Sequence, residues 1–174
     1  MKRLVFSILA LTLATLACSI SVKTPTPPVI EPPVTEPPST VTITVFFTDM
    51  ARYQVGTEPY EAAVMRTVPV TDLLPEAVLT QLFLGPTDAE KTSGLEVVLS
   101  GATGFSDLTI ENGVARVYLT GTCNSNGATY TISNLINANL AQFPEIQWVK
   151  VYDENGETET PDGQSGSIPF CLEP

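Results

Sequence analysis

The chain has 174 residues, of which 19 are acidic, 8 are basic and none is histidine, and its net charge is −11. A protein this acidic is a poor partner for nucleic acid or for anionic lipid head groups. The lack of histidine removes the commonest general base and the commonest transition-metal ligand, which excludes histidine-based triads and ordinary zinc sites.

The N-terminus resembles the leader of an exported lipoprotein. Two basic residues precede fourteen uncharged ones, LVFSILALTLATLA, a run that is short for a membrane span and typical of a signal-peptide core. The residues before Cys18 resemble the bacterial lipobox, with Thr15 at the position where that motif usually has leucine. We predict a lipoprotein signal peptide over residues 1–17 and lipidation of Cys18. An ordinary secretory peptide cut near Ala17 is the alternative.

The number of cysteines in the chain, 3, agrees with export and lipidation. Acylation of Cys18 leaves Cys123 and Cys171 as an even pair, and an oxidising compartment favours their bridging. We predict a disulfide between them, which would stabilise the fold by about 4 kcal/mol in the chain-entropy model. Two separate buried thiols are the alternative.

A proline-rich linker follows the acylated cysteine. The predicted linker covers residues 18–40, and after Cys18 it reads SISVKTPTPPVIEPPVTEPPST, which contains no aromatic residue. Such a tract extends as polyproline II at about 3.1 Å per residue, up to roughly 65 Å. We predict a stalk that holds a folded domain, residues 41–174, away from the membrane. The alternative is a ligand for an aromatic groove.

The folded region is predicted to begin with a strand, because apolar residues alternate in VTITVFFTD from Val41 to Asp49. Residues 50–65 show no regular pattern. Arg66–Pro69 is interpreted as a short strand that its proline keeps at a sheet edge.

TDLLPEAVLTQLFLGP is the clearest helix. Thr71 or Asp72 is the expected N-cap, Pro75 fits the first turn, and Gly85 with Pro86 ends the helix. Its expected apolar face consists of Leu74, Ala77, Val78, Leu82 and Phe83.

The second half of the chain predicts mostly strands. They are expected at 95–99, 105–110, 114–119 and 146–152, with Asn112 and Gly113 as the turn of a hairpin. TYTISNLINANLAQF predicts a second helix, since its apolar residues recur at three and four spacings. The tail is expected to be a loop or hairpin pinned by Cys171. This order predicts an α+β fold, a small mixed β-sheet with two helices packed on one face.

Several segments together resemble the GerMN domain, which occurs in sporulation and spore-germination proteins and in bacterial surface lipoproteins. They are the first strand, VMRTVP at Val64–Pro69, LFLGPT at Leu82–Thr87, SGLEVVL at Ser93–Leu99 and IQWVKVY. The resemblance covers Val41 to about Asp153. It implies an extracytoplasmic protein-binding or scaffolding role, a fold similar to ring-forming modules of secretion systems, and no known catalysis. The spore protein carries two tandem copies and many lipoproteins of the family add a further domain, whereas this sequence shows one copy alone.

Carboxylates are the remaining candidates for catalysis. Asp49, Glu58 and Glu61 near the first strand, or Asp107 and Glu111 on the hairpin, have the chemistry of acid and base pairs. Solvated acids on an acidic surface are the simpler interpretation. The sequence therefore predicts no catalytic residue, no metal site and no cofactor.

Other motifs are interpreted as structural. Arg66 is expected to pair with Asp49 or another carboxylate. DENGETE lacks the glycine and the final glutamate of a calcium loop and is interpreted as a turn. The glycines of GPT and SGATG lack the spacing and the lysine of a phosphate-binding loop. Tyr118, Trp148 and Tyr152 form either core or, if exposed, a binding patch.

These features predict a lipid-anchored binding or scaffold protein on the outer face of the cell membrane. Its expected partners are the membrane, through the anchor, and another envelope protein, with no nucleic acid. A carboxylate-dependent hydrolase of cell-wall or extracellular glycan is the alternative function. Homo-oligomerisation through a sheet edge is a further possibility.

Overall fold

A computed structural model describes residues 39–71 and 73–174. In this part of the chain the elements are β1 (Thr40–Asp49), α1 (Met50–Val55), β2 (Glu61–Pro69), α2 (Leu74–Leu84), α3 (Asp88–Thr92), β3 (Leu95–Glu96), β4 (Gly104–Glu111), β5 (Val114–Thr120), α4 (Ile132–Leu140) and β6 (Trp148–Tyr152), and a short 3₁₀ turn covers Phe170–Leu172. The predicted signal peptide, Cys18 and nearly all of the predicted linker lie outside the described residues.

The α+β fold class is confirmed, and its strands form two sheets of three strands each. The first has the order β2-β1-β3 and the second has the order β4-β5-β6. β4 and β5 are antiparallel, whereas β5 and β6 are parallel. The sequence predicts one mixed sheet because the periodicity of a strand identifies its buried face and not its neighbour.

β1 is the central strand of the first sheet. Its alternate residues Ile43, Val45 and Phe47 are buried, as the pattern VTITVFFTD predicts. β1 pairs with β2 in one continuous antiparallel register, from Thr40 opposite Pro69 to Thr48 opposite Glu61.

The two long helices join the sheets. α2 and α4 contact each other and β1, and they also reach the second sheet, α2 at β4 and α4 at β6. Val78 and Leu82 of α2 and Leu135 and Ile136 of α4 are fully buried, as predicted, and α2 also buries Leu79, which the predicted face omits. The hydrophobic core therefore lies around this helix pair.

The segment predicted to be irregular, residues 50–65, is mostly regular. Asp49 accepts hydrogen bonds from the N–H groups of Ala51 and Arg52 and so starts α1, and Gly56 ends it at φ 68°. β2 then begins at Glu61, five residues earlier than predicted. A helix of 6 residues is too short to show periodicity, and the half-exposed side chains of β2 give weak alternation.

Two other boundaries also differ from the prediction. α2 begins at Leu74 with Leu73 as its N-cap, so Thr71 does not cap it, although Pro75 does lie in the first turn. Asp72, the other expected cap, lies outside the described residues. Strand β3 ends at Glu96, whereas a strand to Leu99 is predicted.

The C-terminal segment folds back on β6. Asn112 and Gly113 have φ of 52° and 79° and form the predicted hairpin turn between β4 and β5. Ser167 pairs with Lys150 in a parallel bridge along β6. Lys150 is fully buried, and its ammonium donates to the carbonyls of Thr160 and, at 3.0 Å, Asp162. A buried cation thus fastens the loop before Ser167.

The cysteines proposed to form a bridge are neighbours in the fold. The Cα atoms of Cys123 and Cys171 are 5.6 Å apart, within the range that disulfides span, and their sulfur atoms are in contact. Gly101 lies against the loop that carries Cys123. A Cβ at Gly101 would come 2.2 Å from the carbonyl oxygen of Thr122, so this SGATG glycine permits a close approach of two backbones.

Candidate functional site

Arg66 and Glu90 form a two-pronged ion pair that links β2 to α3. The guanidinium nitrogens of Arg66 donate to the carboxylate oxygens of Glu90 at 2.5 and 2.6 Å. The guanidinium also lies 5.5 Å from the ring centre of Phe47. Arg66 was expected to pair with Asp49 or another carboxylate, and its partner is Glu90, while Asp49 pairs with Arg52 at 3.2 Å. Arginine suits this position because its planar fork matches a carboxylate.

Glu90 also joins this ion pair to the GPT motif. Its carboxylate accepts from the backbone N–H of Thr87 at 2.7 Å, while the Thr87 hydroxyl accepts from the N–H of Glu90, and these two bonds form a capping box for α3. The hydrogen bond from Arg66 is the main cause that lowers the pKa of Glu90 to about 2, and the same bond raises the pKa of Arg66. Two motifs of the resemblance, VMRTVP and LFLGPT, therefore meet in one structural network.

A tyrosine cluster adjoins the beginning of β2. The ring centres of Tyr53, Tyr60 and Tyr130 are 5.3 to 5.5 Å apart in each pair. The hydroxyl of Tyr130 donates to Glu61 at 2.9 Å, and burial, as the main cause, raises the pKa of Tyr130. Tyr130 therefore stays protonated and keeps Glu61 engaged as an acceptor. Glu58 and Glu61 line one cavity of about 500 Å³ beside this cluster.

The other acidic candidates do not join this cavity. Asp49 caps α1, and Asp107 and Glu111 lie exposed on β4, where a bulge occurs between Phe105 and Asp107. Of the five carboxylates considered for catalysis, only Glu58 and Glu61 line the same cavity.

DENGETE forms a turn, as predicted. The Asp153 carboxylate accepts from the N–H groups of Asn155 and Glu157, and Gly156 has φ 75°. The carboxylate at the first position of the supposed calcium loop is thus hydrogen-bonded to its own backbone.

The candidate aromatic residues have different environments. Tyr118 and Tyr152 stack with ring centres 4.5 Å apart, and Tyr152 is buried. Trp148 is 42% exposed. The stacked pair thus has one buried member, Tyr152, and one half-buried member, Tyr118, while Trp148 reaches the surface.

An apolar surface surrounds the end of α2. Leu84, in the LFLGPT motif, is 72% exposed. Together with Phe83 it lines two cavities of about 430 and 390 Å³, to which Phe105 and Leu99 contribute. This surface was not predicted, because periodicity assigns Leu84 to a helix without stating which neighbours leave it uncovered.

β2 is one of the two edge strands of the first sheet, as its proline predicts, and β3 is the other. Phe46 of β1 directs its backbone N–H and C=O away from β2, and both bond to the side chain of Asn139 at 2.9 Å. In an antiparallel pair the residues of each strand alternate between facing the partner and facing away. The residues on either side of Phe46 therefore direct their backbone groups to β2, as Val45 does opposite Val64. The intervening residues of β2 point their backbone groups to the open side of the sheet.

The open edge of β2 consists of the N–H and C=O groups of Ala63, Met65 and Thr67. Within residues 39–71 and 73–174 these groups make no backbone hydrogen bond beyond their own strand pair. Met65 is 66% exposed at the centre of the edge. The register with β1 has no bulge, and β2 contains no lysine, so two common protections of an edge strand are missing.

A groove lies beside this edge, between the end of β2 and α2. It encloses about 260 Å³. Its apolar lining comes from Val68, Pro69, Leu73 and Ala77, and its polar lining includes Glu76 and Thr80.

Of the helices formed by the described residues, none has the length and apolar character needed to cross a bilayer.

Comparisons with known proteins identify the family. The family model Germane, described as "Sporulation and spore germination", matches residues 44–160, about two thirds of the chain. No curated protein matches the sequence. Among solved structures, the tandem GerMN domains of the sporulation protein GerM from Bacillus subtilis are similar, with 21% identity and a TM-score of 0.44. That match covers 68% of this chain and 43% of the GerM chain. The extent of the family match shows that this chain belongs to the Germane family of sporulation and spore germination.

Proposed function

We propose that this protein is a lipid-anchored binding or scaffold protein on the extracytoplasmic face of the cell membrane. The observation that carries the binding role is the open edge of β2 beside an apolar groove, since a strand edge of this kind pairs readily with another chain. The charged groups near β2 are used for structure: Arg66 holds Glu90, and Glu61 holds Tyr130. Membership of the family supports a role without catalysis.

The anchor is tested by labelling with a radioactive fatty acid and by cell fractionation. The unchanged protein is expected to carry the label and to be recovered with membranes, and Cys18→Ser is expected to lose the label. The double substitution of Cys123 and Cys171 by serine is the matched control and should keep it. Recovery of an unlabelled protein from the cytosol would contradict the proposal.

The binding role is tested by cross-linking in intact cells. The anchored protein is expected to form a discrete cross-linked species with a second envelope protein, and the species should be identified by mass spectrometry after affinity purification. Cross-links distributed over many abundant membrane proteins, in proportion to their amounts, would count against a specific partner.

A carboxylate-dependent hydrolase of cell-wall glycan is the second candidate, because Glu58 and Glu61 line one cavity. It requires release of soluble sugar from purified cell wall, and it requires that Glu58→Gln or Glu61→Gln stops this release. Equal release by the protein and by both variants would reject it.

A further inference from the structure

We infer that the edge of β2 accepts an extended segment of a partner protein as an added strand, and that this segment carries an aliphatic side chain and basic residues. The inference rests on the proposed binding role and names the chemistry of the partner. Its first support is the backbone of Ala63, Met65 and Thr67, which offers alternating donors and acceptors on the open side of the sheet. Added strands obtain their affinity from such groups.

The groove beside α2 supplies a place for one side chain of the added strand. Successive side chains of a strand point to opposite faces, so every second side chain of the segment faces α2. Near the end of β2 such a side chain meets Val68, Leu73 and Ala77, which line a cavity of about 260 Å³. This lining fits an aliphatic group better than a charged one.

The acidic residues around β2 indicate which side chains the other positions of the segment should carry. Glu58 and Glu61 lie at the beginning of the strand, and Glu76 lines the groove near its end. Few basic groups are available to balance them within the described residues. Arg52, Arg66 and Lys91 are paired with carboxylates, Lys150 is buried, and Arg116 lies on β5 of the second sheet. Lysine or arginine near each end of the segment would be attracted to these acids.

The same charge disfavours a second copy as the occupant. Each chain has a net charge of −11, so two copies that approach edge to edge repel one another. A basic segment gains attraction where a second copy meets repulsion. The eight positions from Glu61 to Val68 require a segment of about 25 Å at roughly 3.3 Å per residue.

The test uses a degenerate library of nine-residue peptides, selected for binding to the full protein. The expected result is enrichment of peptides that combine lysine or arginine with an aliphatic residue in an otherwise β-forming sequence. Affinities of the selected peptides are then measured by fluorescence anisotropy. Enrichment of acidic peptides, or no enrichment over a column without protein, would overturn the inference.

Two substitutions locate the binding site. Met65→Pro removes an outward N–H at the centre of the edge, and Thr80→Trp fills the groove from the exposed face of α2. Each is expected to weaken the selected peptides by about tenfold or more. Thr92→Trp is the matched control, because Thr80 and Thr92 are both exposed helix residues whose hydroxyls donate to the carbonyl four residues earlier. If Met65→Pro alters the circular dichroism spectrum, the result for Thr80→Trp decides.

Three outcomes separate this inference from the binding role itself. Unchanged peptide affinity in both variants would overturn the inference. Dimerisation of the protein alone, abolished by Met65→Pro, would assign the edge to a second copy and also overturn it. A cross-linked envelope partner that is lost in Leu84→Glu but kept in Met65→Pro and Thr80→Trp would leave the binding role standing and place it at the Leu84 surface.

Discussion

The Arg66–Glu90 pair allows a quantitative test of how the family motifs hold the fold. We consider Arg66→Met and Glu90→Gln, alone and together, in a double-mutant cycle. Each single change leaves the other charge without its partner, and Glu90→Gln also weakens the capping box with Thr87. The double variant removes both charges, so the cycle isolates the coupling between them.

The expected size of the coupling free energy between Arg66 and Glu90 follows from the pKa of Glu90. That pKa falls from 4.5 to about 2 on folding. A pKa difference of one corresponds to about 1.4 kcal/mol, so the full difference corresponds to about 3 kcal/mol at neutral pH. The side chains of Arg66 and Glu90 are 15% and 20% exposed. Because the lowered pKa of Glu90 also includes its hydrogen bonds with Thr87, and because solvent screens part of the attraction to Arg66, the expected coupling is about 1–2 kcal/mol.

The direction in which folding shifts the pKa of Glu90 determines how the stabilisation by the Arg66–Glu90 pair depends on pH. Because the folded pKa of Glu90 lies below its ordinary value of 4.5, the stabilisation is complete above that value and is lost as the pH falls toward 2. The coupling free energy should therefore be present near pH 7 and nearly absent near pH 2.

Urea unfolding provides the measurement, with the fluorescence of Trp148, the single tryptophan, as the probe. Lys91→Met is the control, since the Lys91–Asp88 pair is exposed by 59% and 104% and should contribute almost nothing. A coupling below about 0.5 kcal/mol near pH 7, or a coupling of equal size near pH 2, would refute the reasoning.

Three further predictions concern stability. Replacing both Cys123 and Cys171 by serine should lower the free energy of unfolding by about 4 kcal/mol, because the proposed disulfide is lost. Adding a reductant to the unchanged protein should have an equal effect. An unchanged urea midpoint would instead indicate that the two cysteines are separate thiols. Asn139→Leu keeps the size of a buried side chain but deprives β1 of a donor and an acceptor, so urea unfolding should show a loss of about 2–3 kcal/mol. A loss under about 0.5 kcal/mol would mean that water replaces the amide. Lys150→Met should leave two loop carbonyls unpaired and speed hydrogen exchange in the C-terminal segment by about tenfold or more, with β1 as the internal reference. Equal exchange rates in both proteins would show that the ammonium does not fasten the loop.

Long periodic segments allowed much of the fold to be predicted. β1, α2 and α4 each repeat apolar residues over two or more turns or pleats, and Asn112-Gly113 has one favoured turn geometry. The predicted faces agree with the structure except at Leu79 of α2, because burial of one face is what the pattern records. α1 and α3, with 6 and 5 residues, are stabilised mainly by caps and neighbours, so no pattern identified them.

The candidate site was less predictable because it depends on pairs that are distant in sequence. Arg66 was expected to have an acidic partner, but nothing in the sequence distinguished Glu90 from the other acids. Asn139 appears as a weak helix former in the sequence, whereas in the fold it is fully buried against β1. One indication was present: Pro69 marked β2 as an edge strand, and the open edge follows from it.

The polar side chains of α4 have a consequence for assembly. Asn139 occupies the peptide groups of Phe46, Gln142 donates to the carbonyl of Thr44 at 3.1 Å, and β3 pairs with the end of β1. A strand arriving from that direction would have to displace the helix. The first sheet can consequently be extended by a long strand only at β2, because β3 on its other side has 2 residues. Repeated edge-to-edge joining through this sheet alone would need a second long open edge, which the described residues do not provide.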